Sequence, residues 1–274
     1  MTDARSLPLR RVHGTRNAFY LLDVRGDGAL ARLDFARVAM QSAALPGFRC
    51  DGLLVVRESD EALAAMRMFN PDGSEAEMCG NGMRCVARHL AAEGGADRFM
   101  VASLAGPVAC EVVAREPFVV RIDLGPAALA ASDESIAIGG TTRRYRFVSL
   151  GNPHAVVPLR DLAELAKFEL AVAAEAFAHD ARFPQGVNVH AVAPAGAGRI
   201  AVRHFERGAG ETASCGTGAV ASAVVAIDRG LATSPVTVDV AGGTLVVTWT
   251  PGGTATLAGP AVDEGPATLA YVDA

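Results

Sequence analysis

The sequence predicts an α+β fold of two pseudo-symmetric halves. Each is a bent, barrel-like, mostly antiparallel sheet around one central helix. Three observations lead there. Cys79-Gly80-Asn81-Gly82 and Cys215-Gly216-Thr217-Gly218 share a C-G-polar-G pattern, and each opens a run with helical periodicity. The two cysteines lie 136 residues apart, close to half of the 274-residue chain. Sliding the chain by that distance lays Arg67 on Arg203, Phe69 on Phe205, Glu75 on Glu211 and Gly94 on Gly230. At that offset 12 of the 42 positions from 65 to 106 are identical, only four of them alanine pairs. Such self-similarity is the mark of an internal duplication, here of whole domains. Gly125-Pro126 and Gly259-Pro260 punctuate equivalent ends. The expected halves are 1–122 plus 260–274, and 123–259.

The elements follow in order. Arg10–Val24 reads as a strand interrupted by the polar loop His13-Gly14-Thr15-Arg16-Asn17. Asp34–Leu45 reads as a short helix, and Leu53–Arg57 and Ala64–Phe69 as strands. Asn70-Pro71-Asp72-Gly73 is a turn. After Cys79, Met83, Val86, Ala87, Leu90 and Ala91 form one helix face, stopped by Gly94-Gly95. Strands are expected near 99–102, 108–113 and 119–124. In the second half Tyr145–Ser149 leads into Gly151-Asn152-Pro153-His154, and one helical run covers 161–178. Val187–Ala193 and Arg199–Phe205 read as strands, and Glu206–Gly210 as a glycine-rich loop. From Cys215 a helix apolar nearly all round is expected in the core. Strands at 236–240, 244–249 and 254–258 close the pattern.

Composition narrows the function. Half the residues are hydrophobic, ample for two cores. A net charge of −5 argues against a nucleic-acid surface. The first residues lack an apolar signal core, and no long uncharged apolar stretch predicts a membrane span. Five cysteines without a paired framework fit a reducing cytoplasm. Lys167 is the only lysine, on an amphipathic run, a poor candidate for a pyridoxal Schiff base. No cofactor is expected. Cys79, Cys85 and His89 lack zinc-like spacing, so no metal is expected.

A cysteine at a helix N-terminus is expected to ionise more readily, because the dipole and unpaired N–H groups favour thiolate. The same N–H groups, near Gly80-Asn81 and Gly216-Thr217, suit a carboxylate. One such motif reads as a helix start with a buried cysteine. Two at the repeat distance suggest a thiolate base and a thiol acid serving opposite faces of one α-carbon, that is, racemisation or epimerisation.

Asn70-Pro71-Asp72-Gly73-Ser74-Glu75, the run from Cys79 to Cys85, Gly151-Asn152-Pro153-His154, and Glu206–Thr212 before Cys215 closely resemble the diaminopimelate epimerase family. The resemblance spans essentially the whole chain. It implies cofactor-independent epimerisation of LL-2,6-diaminopimelate to the meso form, in lysine and cell-wall biosynthesis. It implies two α/β halves with the site in the cleft between them. Cys79 and Cys215 then correspond to the acid/base pair. Gly80, Asn81, Gly216 and Thr217 would hold the α-carboxylate. Glu206, with His154 beside it, would take the α-ammonium. Asn17, Asn70, Asn152, Asn188 and Arg207 would surround the substrate, mostly its distal end, where an arginine suits the second carboxylate. The expected partner is this small molecule; a homodimer is left open.

Taken singly, several of these residues read more simply. Asn70 and Asn152 are turn formers, His154 a satisfied structural histidine, and Cys50, Cys85 and Cys110 core cysteines. The chain also departs from the family. Arg16 and Ala18 stand in a loop that usually reads H-G-x-G-N-D-F, and Arg49 in one that usually reads G-x-G-x-D. These could favour a more acidic substrate or point to solvent. Competing readings are a related racemase for proline, histidine or glutamate, a thiol-disulfide redox protein, and a non-catalytic carboxylate-binding module. No C-x-x-C supports the redox reading.

Overall fold

The computed structural model describes residues 5–273. The chain divides into two compact units. One runs to Ile122 and resumes at Gly259; the other is Asp123–Ala258. The fold is sheet-dominated α+β, with few helices.

In the first unit the strands Arg5–Gly14 and Asn17–Asp23 form a hairpin. Its two-residue turn, Thr15-Arg16, has φ of 49° and 62°. Positive φ at both positions matches the right-handed strand twist, as in a type I′ turn. The loop is thus shorter than expected, and the first strand starts earlier. Asn17–Asp23 pairs parallel with Leu53–Arg57, which pairs antiparallel with Ala64–Phe69. Arg98–Ser103 adds in parallel, and Gly106–Arg115 and Phe118–Pro126 follow antiparallel. Helix α1, Phe35–Ala43, is capped by the Asp34 carboxylate on the Arg37 N–H. Helix α2, Gly80–Ala92, begins at Cys79 and buries Met83, Val86, Ala87 and Leu90.

The second unit repeats the plan. Pro153–Pro158 pairs parallel with Asn188–Gly196, which pairs antiparallel with Arg199–Glu206. Val236–Val240, Gly243–Thr248 and Thr254–Pro260 complete the order. The expected single helix over 161–178 is two, α3 (Leu162–Lys167) and α4 (Leu170–Ala178). Phe168 breaks it: it turns extended so that its ring enters the core beside Leu165 and Leu170. Arg203 satisfies the broken end, donating to the Leu165 and Phe168 carbonyls at 3.1 and 2.8 Å. Lys167 is exposed, as a solvated helix face requires. Helix α5, Gly216–Asp228, is buried along most of its length.

The duplication reaches individual interactions. At the 136-residue offset α2 lands on α5 end for end. The Leu53–Phe69 pair becomes Val189–Phe205. Arg67 grips Glu75 through two N–H donors, and Arg203 grips Glu211 likewise. These two glutamates therefore brace the approach to each cysteine. Several strands were not expected from sequence, among them Pro153–Pro158, whose first residues read as a loop. Glu134–Ile138 pairs with Thr141–Ser149, and Val262–Tyr271 runs antiparallel to Arg5–Gly14.

Candidate active site

Each cysteine is the N-cap of its helix. Cys79 is extended at φ −137°, and its Sγ accepts from the Gly82 N–H at 3.4 Å. Gly82 lets the helix start pack close to the sheet: an added Cβ would lie 2.6 Å from Leu54 Cδ2, and that side chain would have to shift. Asn17 lies against this corner, its Oδ1 3.8 Å from Cys79 Sγ and 3.2 Å from Asn81 Nδ2. Asp51 fixes Asn17 by accepting from Nδ2 and from the next backbone N–H, both at 2.9 Å. The Asn81 side chain turns inward, accepting from Arg84 Nη2 at 2.9 Å. Arg84 is fully buried, and it also donates to Thr15 Oγ1 and to the Gly80 and Pro260 carbonyls. These partners are all neutral. Burial pulls the Arg84 guanidinium down to about 10, and Coulombic coupling to the neighbouring cysteines, Cys79 among them, opposes that pull. That coupling is reciprocal, so Arg84 favours thiolate at Cys79.

The second helix start is different. Cys215 is 5% exposed, with Sγ 3.8 Å from Thr217 Oγ1. Burial first, then the charge and hydrogen bond of Glu206, push this thiol well above its ordinary value. The expectation of an easily ionised cysteine thus fails at Cys215. Desolvation and a neighbouring carboxylate outweigh the helix dipole. Glu206 is held by Thr212, whose hydroxyl donates at 2.6 Å. At the repeat offset Glu206 falls on Asn70, which sits in its turn with Nδ2 donating to Ser74 Oγ at 2.9 Å.

The other expected site residues fall into two groups. Asn152 is half-buried and reaches Thr217 Oγ1 at 3.4 Å. Arg207 is exposed, its guanidinium donating to the Gln185 carbonyl. Asn188, by contrast, uses both amide ends internally: Oδ1 accepts from the Arg207 N–H and Nδ2 donates to the Pro153 carbonyl, each at 3.0 Å. It shapes the loops that carry Arg207 and His154. His154 is fully buried, with Nε2 2.8 Å from Asn152 Oδ1 and Nδ1 2.8 Å from His190 Nε2. Sequence reading put it beside the reacting carbon; in the structure its ring is buried and held between Asn152 and His190. Arg16 and Arg49 are both exposed, and Arg49 pairs with Asp51 at 3.5 Å. Arg16 holds a left-handed turn position that glycine would fill without strain.

Cys85 and Cys110 are core residues, both pushed up to about 12 by burial, and Cys50 is half-buried. Among the described residues one acid–histidine group has ligand-like spacing, Asp23, His89 and Glu93. Arg25 fills it, bonding Asp23 and Glu93 at 2.5 and 2.7 Å, so it is an ion-pair net. A hollow of about 380 Å³ in the second unit is lined by Phe147, Pro153, Phe183 and Gly186, and neither thiol borders it. Sequence reasoning passed over Arg84, His190 and His204. The repeat offset is the signal that could have found them, since their counterparts are Val220, Leu54 and Met68.

The diaminopimelate epimerase family model matches residues 11–130 and 146–270. The chain is 37% identical to a diaminopimelate epimerase of Pelotomaculum thermopropionicum, covering 92% of this chain and 94% of that one. It is 33% identical to the Bacillus subtilis diaminopimelate epimerase, covering 93% and 96%. Among solved structures, a PhzF-family phenazine biosynthesis protein of Bacillus anthracis superposes with a TM-score of 0.75 at 16% identity, over 97% and 100% of the two chains. A hydroxyproline epimerase of Agrobacterium vitis gives 0.70 at 18% identity, over 100% and 95%. These two share the fold.

Proposed function

This chain belongs to the diaminopimelate epimerase family, and we propose that Cys79 and Cys215 interconvert LL- and meso-2,6-diaminopimelate as its two acid/base residues. One observation carries the assignment: each cysteine is the N-cap of the same helix in a duplicated half. Cys79, supported by Arg84, takes the α-proton as thiolate. The electron pair stays on the α-carbon and is spread into the carboxylate. Cys215, kept protonated by burial and Glu206, gives its proton to the opposite face. Cys79 ends as thiol and Cys215 as thiolate, and the reverse reaction restores both. The chemistry asks for no cofactor.

The helix starts at Gly80-Asn81 and Gly216-Thr217 would hold the α-carboxylate through their N–H donors and dipoles. Glu206 takes the α-ammonium. Asn17, Asn70, Asn152 and Arg207 address the rest of the substrate. Asn188 and His154 act through Arg207 and Asn152. The structure has no helix long and apolar enough to cross a membrane among the described residues. A cytoplasmic location and a homodimer belong to the same reading, checked by cell fractionation and light scattering.

The test is turnover in deuterium oxide. Deuterium should enter one α-carbon of diaminopimelate with no added cofactor. Cys79→Ala and Cys215→Ala should each lower epimerisation by at least ~10²–10⁴-fold, the usual worth of a general acid or base. Full activity in either variant refutes the two-base reading. Faster exchange with glutamate, proline or histidine overturns the substrate alone.

A further inference from the structure

The second unit carries three histidines in series beneath the start of α5. His154 Nδ1 lies 2.8 Å from His190 Nε2, and His190 Nδ1 lies 2.9 Å from His204 Nδ1. All three rings are at most 1% exposed. His190 and His204 face each other across the antiparallel pair Asn188–Gly196 and Arg199–Glu206. The series ends at Asn152, whose Oδ1 is 2.8 Å from His154 Nε2. At the other end His204 Nε2 is buried without a partner. The rings also press on the helix: a Cβ on Gly218 would lie 2.4 Å from His190 Cε1.

Burial keeps the three rings neutral, with His154 and His204 each drawn down to about 3. A neutral imidazole has one N–H and one lone pair, so each contact needs one donor and one acceptor. Two directions satisfy the series, the second only with the Asn152 amide turned over so that its Nδ2 faces His154. In one, His204 Nε2 is a bare lone pair. In the other it is a buried N–H with no acceptor. Unpaired buried N–H groups are the rarer and costlier case. The first direction therefore holds. His204 Nδ1–H donates to His190, His190 Nε2–H to His154, and His154 Nε2–H to Asn152 Oδ1. That leaves the Asn152 Nδ2 donors turned toward Thr217 and the mouth of α5.

We infer that His190 and His204 are positioning residues, a one-way hydrogen-bond relay that locks the amide of Asn152 in the orientation that donates to substrate. Nothing in the shared plan of the halves requires it, since the first unit builds the same place from Leu54 and Met68. The substrate role of Asn152 rests on the proposed function; the relay itself does not.

The test reads the tautomers directly. In protein carrying isotope-labelled histidine, nitrogen NMR at neutral pH should show His204 as Nδ1–H, and His154 and His190 as Nε2–H. An Nε2–H His204, or any charged ring among the three, overturns the relay. His204→Leu removes the first donor and should raise KM about fivefold, the worth of one neutral hydrogen bond, with kcat little changed. His204→Asn places an amide N–H near the lost Nδ1 and should bring KM back within about twofold of the parent. Equal losses in both variants, or a fall in kcat at constant KM, count against it. The NMR result needs neither turnover nor a folded variant, so it stands apart from the substrate assignment.

Discussion

The starts of α2 and α5 occupy the same place in two copies of one plan, yet their electrostatics are opposite. Beneath Cys79 lies Arg84, a buried cation among neutral partners. Its counterpart beneath Cys215 is Val220. Near Cys215 lies Glu206, and its counterpart in the first half is the neutral Asn70. One backbone plan thus sets a buried cation near one helix-start thiol and, near the other, a carboxylate that pushes the thiol up. A buried cation without a counter-ion is costly, and a thiolate at Cys79 offsets that cost. The lesson is that one backbone plan can carry opposite charges beside equivalent helix starts.

The largest effect should come from removing the source of this asymmetry. Arg84→Met is expected to lower kcat/KM by about tenfold, the worth of ~1.4 kcal/mol of lost cationic support beside Cys79. In the parent protein, iodoacetamide at neutral pH should label Cys79 before Cys215, read by peptide mapping. In Arg84→Met the labelling of Cys79 should slow, while Cys215 stays slow through its own burial and Glu206. If Cys215 reacts first in the parent, the comparison is reversed.

Paired glycine substitutions should sharpen the contrast in packing. Gly82→Ala meets the end of the flexible Leu54 side chain, while Gly218→Ala meets a planar ring held at both nitrogens. Overpacking costs ~1–3 kcal/mol. Gly218→Ala is expected at the upper end and Gly82→Ala at the lower, by urea unfolding. Equal costs would remove any special rigidity from the histidine layer.

A further effect appears in acid. His154 and His204 sit near 3 in the folded chain against an ordinary 6.5. The unfolded chain therefore binds more protons between those values, and stability falls as pH drops from about 6.5 toward 3. His204→Leu should flatten that acid limb. An unchanged slope in pH-dependent unfolding would mean that the rings do not stay neutral. Above pH 9 the sign reverses. Cys85 and Cys110 stay protonated to about 12 in the fold, so stability declines as pH rises through that window.

Much of this was legible in the sequence, and the misses have physical causes. Gly80–Ala92 and Ala64–Phe69 were readable because periodicity and local signals agreed there. Val262–Tyr271 was not, since its glycine, proline and acids read as loop, and only pairing with Arg5–Gly14 makes it a strand. The break at Phe168 came from tertiary burial overriding helical propensity. In the site, helix-start cysteines announce themselves through flanking glycines. The histidine series does not, because its members are 36 and 14 residues apart and meet only through strand pairing.

The strand Val262–Tyr271 has a further consequence for synthesis. It pairs along its whole length with Arg5–Gly14, so the first unit's sheet joins the earliest and latest parts of the described chain. The second unit lies wholly between them. During translation the inner unit is complete while the outer one still lacks a neighbour for its first strand. Domains fold as units as they emerge. The inner half, with its histidine layer, can therefore reach its native packing on the ribosome, and the half bearing Cys79 must wait for the final strand.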